Sequence, residues 1–148
     1  MAELAVAPSN LLHKRFLALY QDFNTLNLGD LSAVYSNDVV FKDPVHELHG
    51  LASVRGYFDN LGKNLTACRF EFQQQALAEG HGFIRWQMLY AHPRLAGGRE
   101  LSLAGATYIE FNERVTLHQD YYDLGAMLYE QVPLLGAVVR RLKLGLQG

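Results

Sequence analysis

Cysteine is nearly absent from this chain, with Cys68 the single example. That excludes an intrachain disulfide and any zinc site built from thiolates, and it fits a reducing compartment. An excess of positive charge is also missing. Thirteen Lys and Arg against fifteen Asp and Glu leave a formal net charge of −2, so nucleic acid is not an expected partner. No apolar run is long enough to span a bilayer. The opening MAELAVAPSN has neither a basic start nor a long apolar stretch, so no signal peptide is expected and the cytoplasm is the default location. There is no dinucleotide glycine fingerprint and no metal-ligand cluster, so neither a cofactor nor a metal is implied. Repeats, linkers and low-complexity segments are lacking as well. What is there is 148 residues, 49% apolar and 19% charged, which describes one soluble domain over residues 1–148 with a sizeable core.

Periodicity orders the chain. A helix is predicted from Pro8-Ser9-Asn10, with Leu12, Phe16, Leu19, Phe23 and Leu26 along one stripe. Gly29-Asp30 opens a short second helix with Leu31, Val34 and Tyr35, and a strand through Val39–Asp43 stops at Pro44. After His49-Gly50, the residues Leu51, Val54, Tyr57, Phe58 and Leu61 mark a third helical face. The period then changes to two. Cys68, Phe70 and Phe72 alternate with Arg69, Glu71 and Gln73; Phe83–Ala91 is apolar on both faces; Leu101–Phe111 returns after a Gly97-Gly98 connection. The stretch LHQDYYDL, Leu117–Leu124, closes the meander, and a helical tail over 125–148 is interrupted at Pro133. Three N-terminal helices with a curved antiparallel sheet wrapped around them give an α+β fold, with a cavity between the concave face and the helices.

The run GDLSAVYSNDVVFKDPVHELHGLASVRGYFDNL resembles the first half of the cone-shaped fold shared by nuclear transport factor 2, ketosteroid isomerase, limonene-epoxide hydrolase and SnoaL-like polyketide cyclases. The meander ending in QDYYDL resembles the SnoaL-like branch. The resemblance implies that Asp43 stands where ketosteroid isomerase has its general base, and Thr107 where that enzyme has a protonated Asp. It implies that Asp120 stands where limonene-epoxide hydrolase activates water, and Arg85-Trp86-Gln87 where that enzyme has an Arg-x-Asp pair. The superfamily holds isomerases, hydrolases, cyclases and non-catalytic subunits, so the fold is implied more sharply than the activity.

The register implied by the resemblance turns Phe41, Asp43, Phe83, Arg85, Gln87, Thr107, His118, Asp120 and Tyr122 into the cavity, with Tyr57 lining it from the third helix. Asp43, Asp120 and Arg85 are the expected catalytic group: Arg85 holds Asp120 ionised, and Asp43 exchanges the proton. An apolar small molecule is the expected ligand, held either by an isomerase, cyclase or hydrolase or by a non-catalytic binding module. The same register turns Ile84, Trp86, Met88 and Tyr90 outward, as the core of a homodimer interface. His46, His49, His81 and His92 read as turn histidines on the surface, and Cys68 as a core residue. The tail joins Leu134, Leu135, Val138, Val139, Leu142, Leu144 and Leu146 to Arg140, Arg141 and Lys143, which reads as a lid or dimer arm rather than a membrane contact.

Overall fold

The computed structural model describes residues 8–21 and 30–148. Helix α1 covers Pro8–Gln21 and α2 Leu31–Val34; strands β1 (Tyr35–Lys42) and β2 (Glu47–His49) precede helix α3 (Leu51–Asn64). Strands β3 (Ala67–Ala78), β4 (His81–Ala91), β5 (Leu101–Phe111) and β6 (Val115–Tyr122) follow, then helices α4 (Leu124–Met127) and α5 (Leu135–Gly145). The α1 stripe buries Leu12, Phe16, Leu19 and Tyr20; Phe23 and Leu26 lie outside the described residues. Tyr35, expected at the end of the second helix, is instead the first residue of β1. The stretch between His46 and His49, two residues read as turn histidines, contributes the short strand β2. The tail is helical on both sides of Pro133, as its sequence suggests. Among the described residues no helix is long and apolar enough to cross a membrane.

One sheet runs in the order β2-β1-β6-β5-β4-β3. The meander β3 to β6 is antiparallel throughout, and β1 joins it by pairing in parallel with β6, Phe41 beside His118. That single parallel contact carries the N-terminal half to the last strand, so residues far apart in sequence meet on the inner face. Helices α1 and α3 cover that face, with Phe16, Tyr20, Val54 and Phe58 in one core cluster with Tyr35, Phe41, Ile84 and Ile109. Gly50, immediately before α3, has φ +89° and donates its N–H to the Val39 carbonyl at 2.8 Å. Only glycine adopts that conformation without strain.

The register of β4 corrects the expectation. Ile84, Trp86 and Tyr90 are buried inside, with Met88 half-buried beside them, while Phe83 is 51% exposed and Arg85 lies in solvent. The four residues expected as a dimer interface therefore line the inner face, and Phe83, Arg85 and Gln87 point outward. Neighbouring strands dictate this parity. Trp86 faces Phe72 on β3 and Gly105 on β5, and Ile84 faces Thr107. A side chain on Gly105 would overlap the Trp86 indole, so the missing Cβ is what admits the ring. From Ile84 to Tyr90 the even positions of β4 are all large and apolar, the odd ones mixed, and the larger apolar set goes inside. Gly105→Val is accordingly expected to eject the indole and destabilise the protein by about 1–3 kcal/mol, as overpacking does. A denaturant midpoint equal to the native one would show that the ring does not depend on that gap.

Candidate functional site

Six side chains on five elements form one buried hydrogen-bonded chain ending on Asp120. Tyr20 on α1 meets Tyr35 on β1, hydroxyl to hydroxyl, at 2.5 Å, and Tyr35 meets His118 Nδ1 on β6 at 2.8 Å. His118 Nε2 lies 2.7 Å from Asp120 Oδ1, which also accepts from the Thr107 hydroxyl at 2.5 Å. Trp86 Nε1 donates to Thr107 Oγ1 at 2.8 Å. A carboxylate only accepts, so His118 Nε2 carries the hydrogen; the neutral ring then accepts at Nδ1 from Tyr35. Every donor in the chain thus points toward Asp120.

The local sequence explains why these groups meet. On β6 His118, Asp120 and Tyr122 alternate onto the inner face, and antiparallel pairing sets Asp120 opposite Thr107 and Tyr122 opposite Gly105. Phe41 stacks on the His118 ring with centroids 4.5 Å apart, fixing the imidazole plane. Asp120 keeps 17% of its side chain exposed, against 1% for His118. Its Oδ1 takes both donors, and its Oδ2 has no hydrogen-bond partner among the described residues. One oxygen is clamped and the other is available.

Asp43 is held differently. Its side chain is 2% exposed, and Oδ1 accepts from the backbone N–H groups of Val45 and His46 at 2.8 and 2.6 Å. Oδ2 accepts from the Tyr57 hydroxyl at 3.2 Å, and His46 Nδ1 sits 3.1 and 3.2 Å from the two oxygens. The carboxylate closes the turn after β1 and orients the His46 ring, which packs on Tyr57 with centroids 4.6 Å apart. His46, expected as a surface turn histidine, is therefore backed by an acid and an aromatic. The signal for it was its position three residues after Asp43, across a proline turn.

Arg85 does not join this site. It donates to Gln74 on the outer face at 3.2 Å, and Gln87 bonds the Ser102 hydroxyl there as well. The partners of Asp120 are Thr107 and His118 rather than the expected guanidinium. The structure brings together Phe41, Asp43, Tyr57, Thr107, His118, Asp120 and Tyr122 from the expected set, leaves out Phe83, Arg85 and Gln87, and adds Tyr20, Tyr35 and Trp86. A separate recess of about 420 Å³, lined by Ser32, Tyr35, Ser36, Asn37, Asn112, Glu113 and Arg114, holds none of the expected site residues.

Burial pushes the Tyr20 and Tyr35 hydroxyls well above the ordinary tyrosine range, and the Asp120 charge adds to both. Tyr57 and Tyr122 are raised by burial first and then by the charges of Asp43 and Asp120, so both acids lie close enough to act on both phenols. The sign of the stability effect follows. The contribution is complete below the unfolded tyrosine pKa of about 10 and is lost as pH rises from there toward the folded values. Of the eight tyrosines, these four are expected to stay protonated until the chain unfolds, so about half of the phenolate absorbance should appear only in a late step coincident with loss of structure. Smooth titration of all eight near pH 10, with the fold intact, would contradict the buried network.

Residues 16–118 match the model of the SnoaL-like domain, so the match ends at His118, two residues before Asp120. No curated protein matches the chain. Among solved structures, TsrD from Streptomyces laurentii is 18% identical with a TM-score of 0.69, covering 91% of this chain and 99% of its own. A protein from Jannaschia described as a SnoaL-like polyketide cyclase is 9% identical with a TM-score of 0.71, over 86% of this chain and 95% of its own. A protein of ketosteroid isomerase-like fold from Catenulispora acidiphila, solved with trimethylamine, is 16% identical with a TM-score of 0.69, over 81% and 90%. At these identities the likeness is one of fold.

Proposed function

Because the chain belongs to the SnoaL-like domain family, we propose that it takes an apolar carbonyl compound against the inner face of the sheet and moves a proton on it, with Asp120 as the base. The observation that carries this reading is the carboxylate of Asp120, clamped through Oδ1 by Thr107 and His118 while Oδ2 keeps no partner among the described residues. A base fixed in orientation, bordered by aromatic side chains and still partly exposed, suits proton abstraction from carbon next to a carbonyl.

In this reading Oδ2 accepts the proton from the carbon, and the bonding pair moves onto the carbonyl oxygen as an enolate. Tyr122 supplies the hydrogen bond that the oxyanion needs. Its hydroxyl has no hydrogen bond among the described residues, and its raised pKa keeps it a neutral donor well above neutral pH. Return of the proton from Asp120 to the same or another carbon completes an isomerisation; attack of the enolate carbon on a second carbonyl, whose oxygen then takes that proton back from Asp120, completes a cyclisation. His118, Tyr35 and Tyr20 are positioning residues that hold Asp120 from behind. Asp43, with both oxygens engaged, positions His46 and Tyr57 and is not assigned the proton transfer. The cyclase description of the Jannaschia relative supports a carbonyl substrate.

The test is a co-crystal structure with 2-tetralone, a bicyclic ketone with acidic α-hydrogens. The expected pose sets its α-carbon within about 3–3.5 Å of Asp120 Oδ2 and its oxygen on Tyr122. Binding with the ketone away from Asp120 would favour a non-catalytic binding module instead.

A further inference from the structure

Asp43 and His46 form a second acid–imidazole pair, and the proton transfer assigned to Asp120 leaves it unused. The pair is held firmly on one side. Asp43 is sealed from solvent, with the N–H groups of Val45 and His46 on Oδ1 and the Tyr57 hydroxyl on Oδ2. A carboxylate only accepts, so the hydrogen between it and the His46 ring sits on Nδ1. The neutral ring then carries its lone pair on Nε2, which has no hydrogen bond among the described residues. The His46 side chain is 38% exposed. With Nδ1 turned onto a sealed carboxylate, that exposure falls on the far edge of the ring, where Nε2 lies.

Tyr57 joins this pair to the rest of the site. Its ring centroid is 4.6 Å from that of His46 and 5.6 Å from that of Phe41, which in turn stacks on His118. The charges of Asp43 and Asp120 both act on Tyr57 and on Tyr122. A flat substrate lying along Tyr122 and Tyr57 therefore ends at His46, and what it meets there is an acceptor. Among the described residues both acids pair with imidazoles, and neither with a lysine or arginine. A carboxylate or phosphate on the substrate would thus be repelled by two acids with no cation to offset them. An ammonium group would pair with Asp120 and occupy the oxygen that the base needs. A hydroxyl avoids both faults, since it is uncharged and donates to Nε2.

We infer that His46 is a specificity-determining residue whose Nε2 accepts a hydrogen bond from a substrate hydroxyl, so that the substrate is a hydroxylated carbonyl compound. The inference rests on the reading of Asp120 as the base and adds the far end of the substrate to it. Calorimetric titration of the full chain tests it at about pH 8, above the ordinary imidazole pKa. The probes are 2-tetralone and its phenolic derivatives, hydroxylated at each aromatic position in turn. At least one phenolic ketone is expected to bind about tenfold more tightly than 2-tetralone, the effect of one added hydrogen bond. His46→Phe keeps a ring against Tyr57 and removes the acceptor, so the ratio of the two constants should fall to about one. A ratio of this kind does not move with a general loss of affinity or stability. Phenolic ketones that bind no more tightly than 2-tetralone, or a preference that survives His46→Phe, would overturn the inference and leave Asp120 as the base. Failure of every ketone to bind would overturn it together with the reading of Asp120.

Discussion

Trp86→Ala is expected to destabilise the protein by about 3–5 kcal/mol, while its neighbour Arg85→Ala changes stability by less than about 0.5 kcal/mol. The contrast follows from strand parity. The indole lies 5.1 Å from the Phe70 ring and 6.4 Å from Tyr122, fills the gap over Gly105, and donates to Thr107. Truncation leaves a cavity in the middle of the sheet's inner face and removes a donor from the Asp120 chain. Among the described residues Arg85 bonds only Gln74, in solvent, where a hydrogen bond contributes little. Denaturant unfolding of the two variants side by side reads the difference directly, and the reverse order would mean that β4 is inverted.

Asp120→Asn is expected to lower turnover by about two to four orders of magnitude with a modest effect on folding. Asparagine keeps a carbonyl oxygen that accepts from Thr107 and His118, so the loss of charge on that acceptor should cost only about 1–2 kcal/mol. What disappears is the acceptor for the substrate proton. Asp120→Ala is the structural control. It leaves the His118 N–H and the Thr107 hydroxyl buried without their acceptor, and should lose stability as well as turnover. Equal turnover of Asp120→Asn and the native protein would remove Asp120 from the chemistry.

Much of the fold could be read from residue order because its signals were local. The stripe Leu12, Phe16, Leu19 and the alternation of Cys68, Phe70, Phe72 each bury the predicted side. On β6 the alternation of His118, Asp120 and Tyr122 gave the inner face correctly, and their partner Thr107 with it. On β4, read as apolar on both faces, the alternation alone did not decide which set goes inside, and the Arg-x-Asp resemblance placed Arg85 there. A shift of one residue exchanges the two faces, and the structure buries Ile84, Trp86 and Tyr90 instead. The rest of the site had no local signal. Tyr20 and Tyr35 reach His118 only through the docking of α1 and the parallel pairing of β1 with β6. The small residue that seats Trp86 lies nineteen positions further on, at Gly105.

The central claim is that Asp120 Oδ2 removes a proton from carbon, and hydrogen–deuterium exchange reads that step without knowledge of the natural substrate. With 2-tetralone in deuterated buffer, the native protein is expected to accelerate loss of the α-hydrogen NMR signal over buffer alone, and Asp120→Asn to lose that acceleration by about two orders of magnitude or more. Exchange no faster with the native protein than in buffer, or equally fast with Asp120→Asn, would contradict the account.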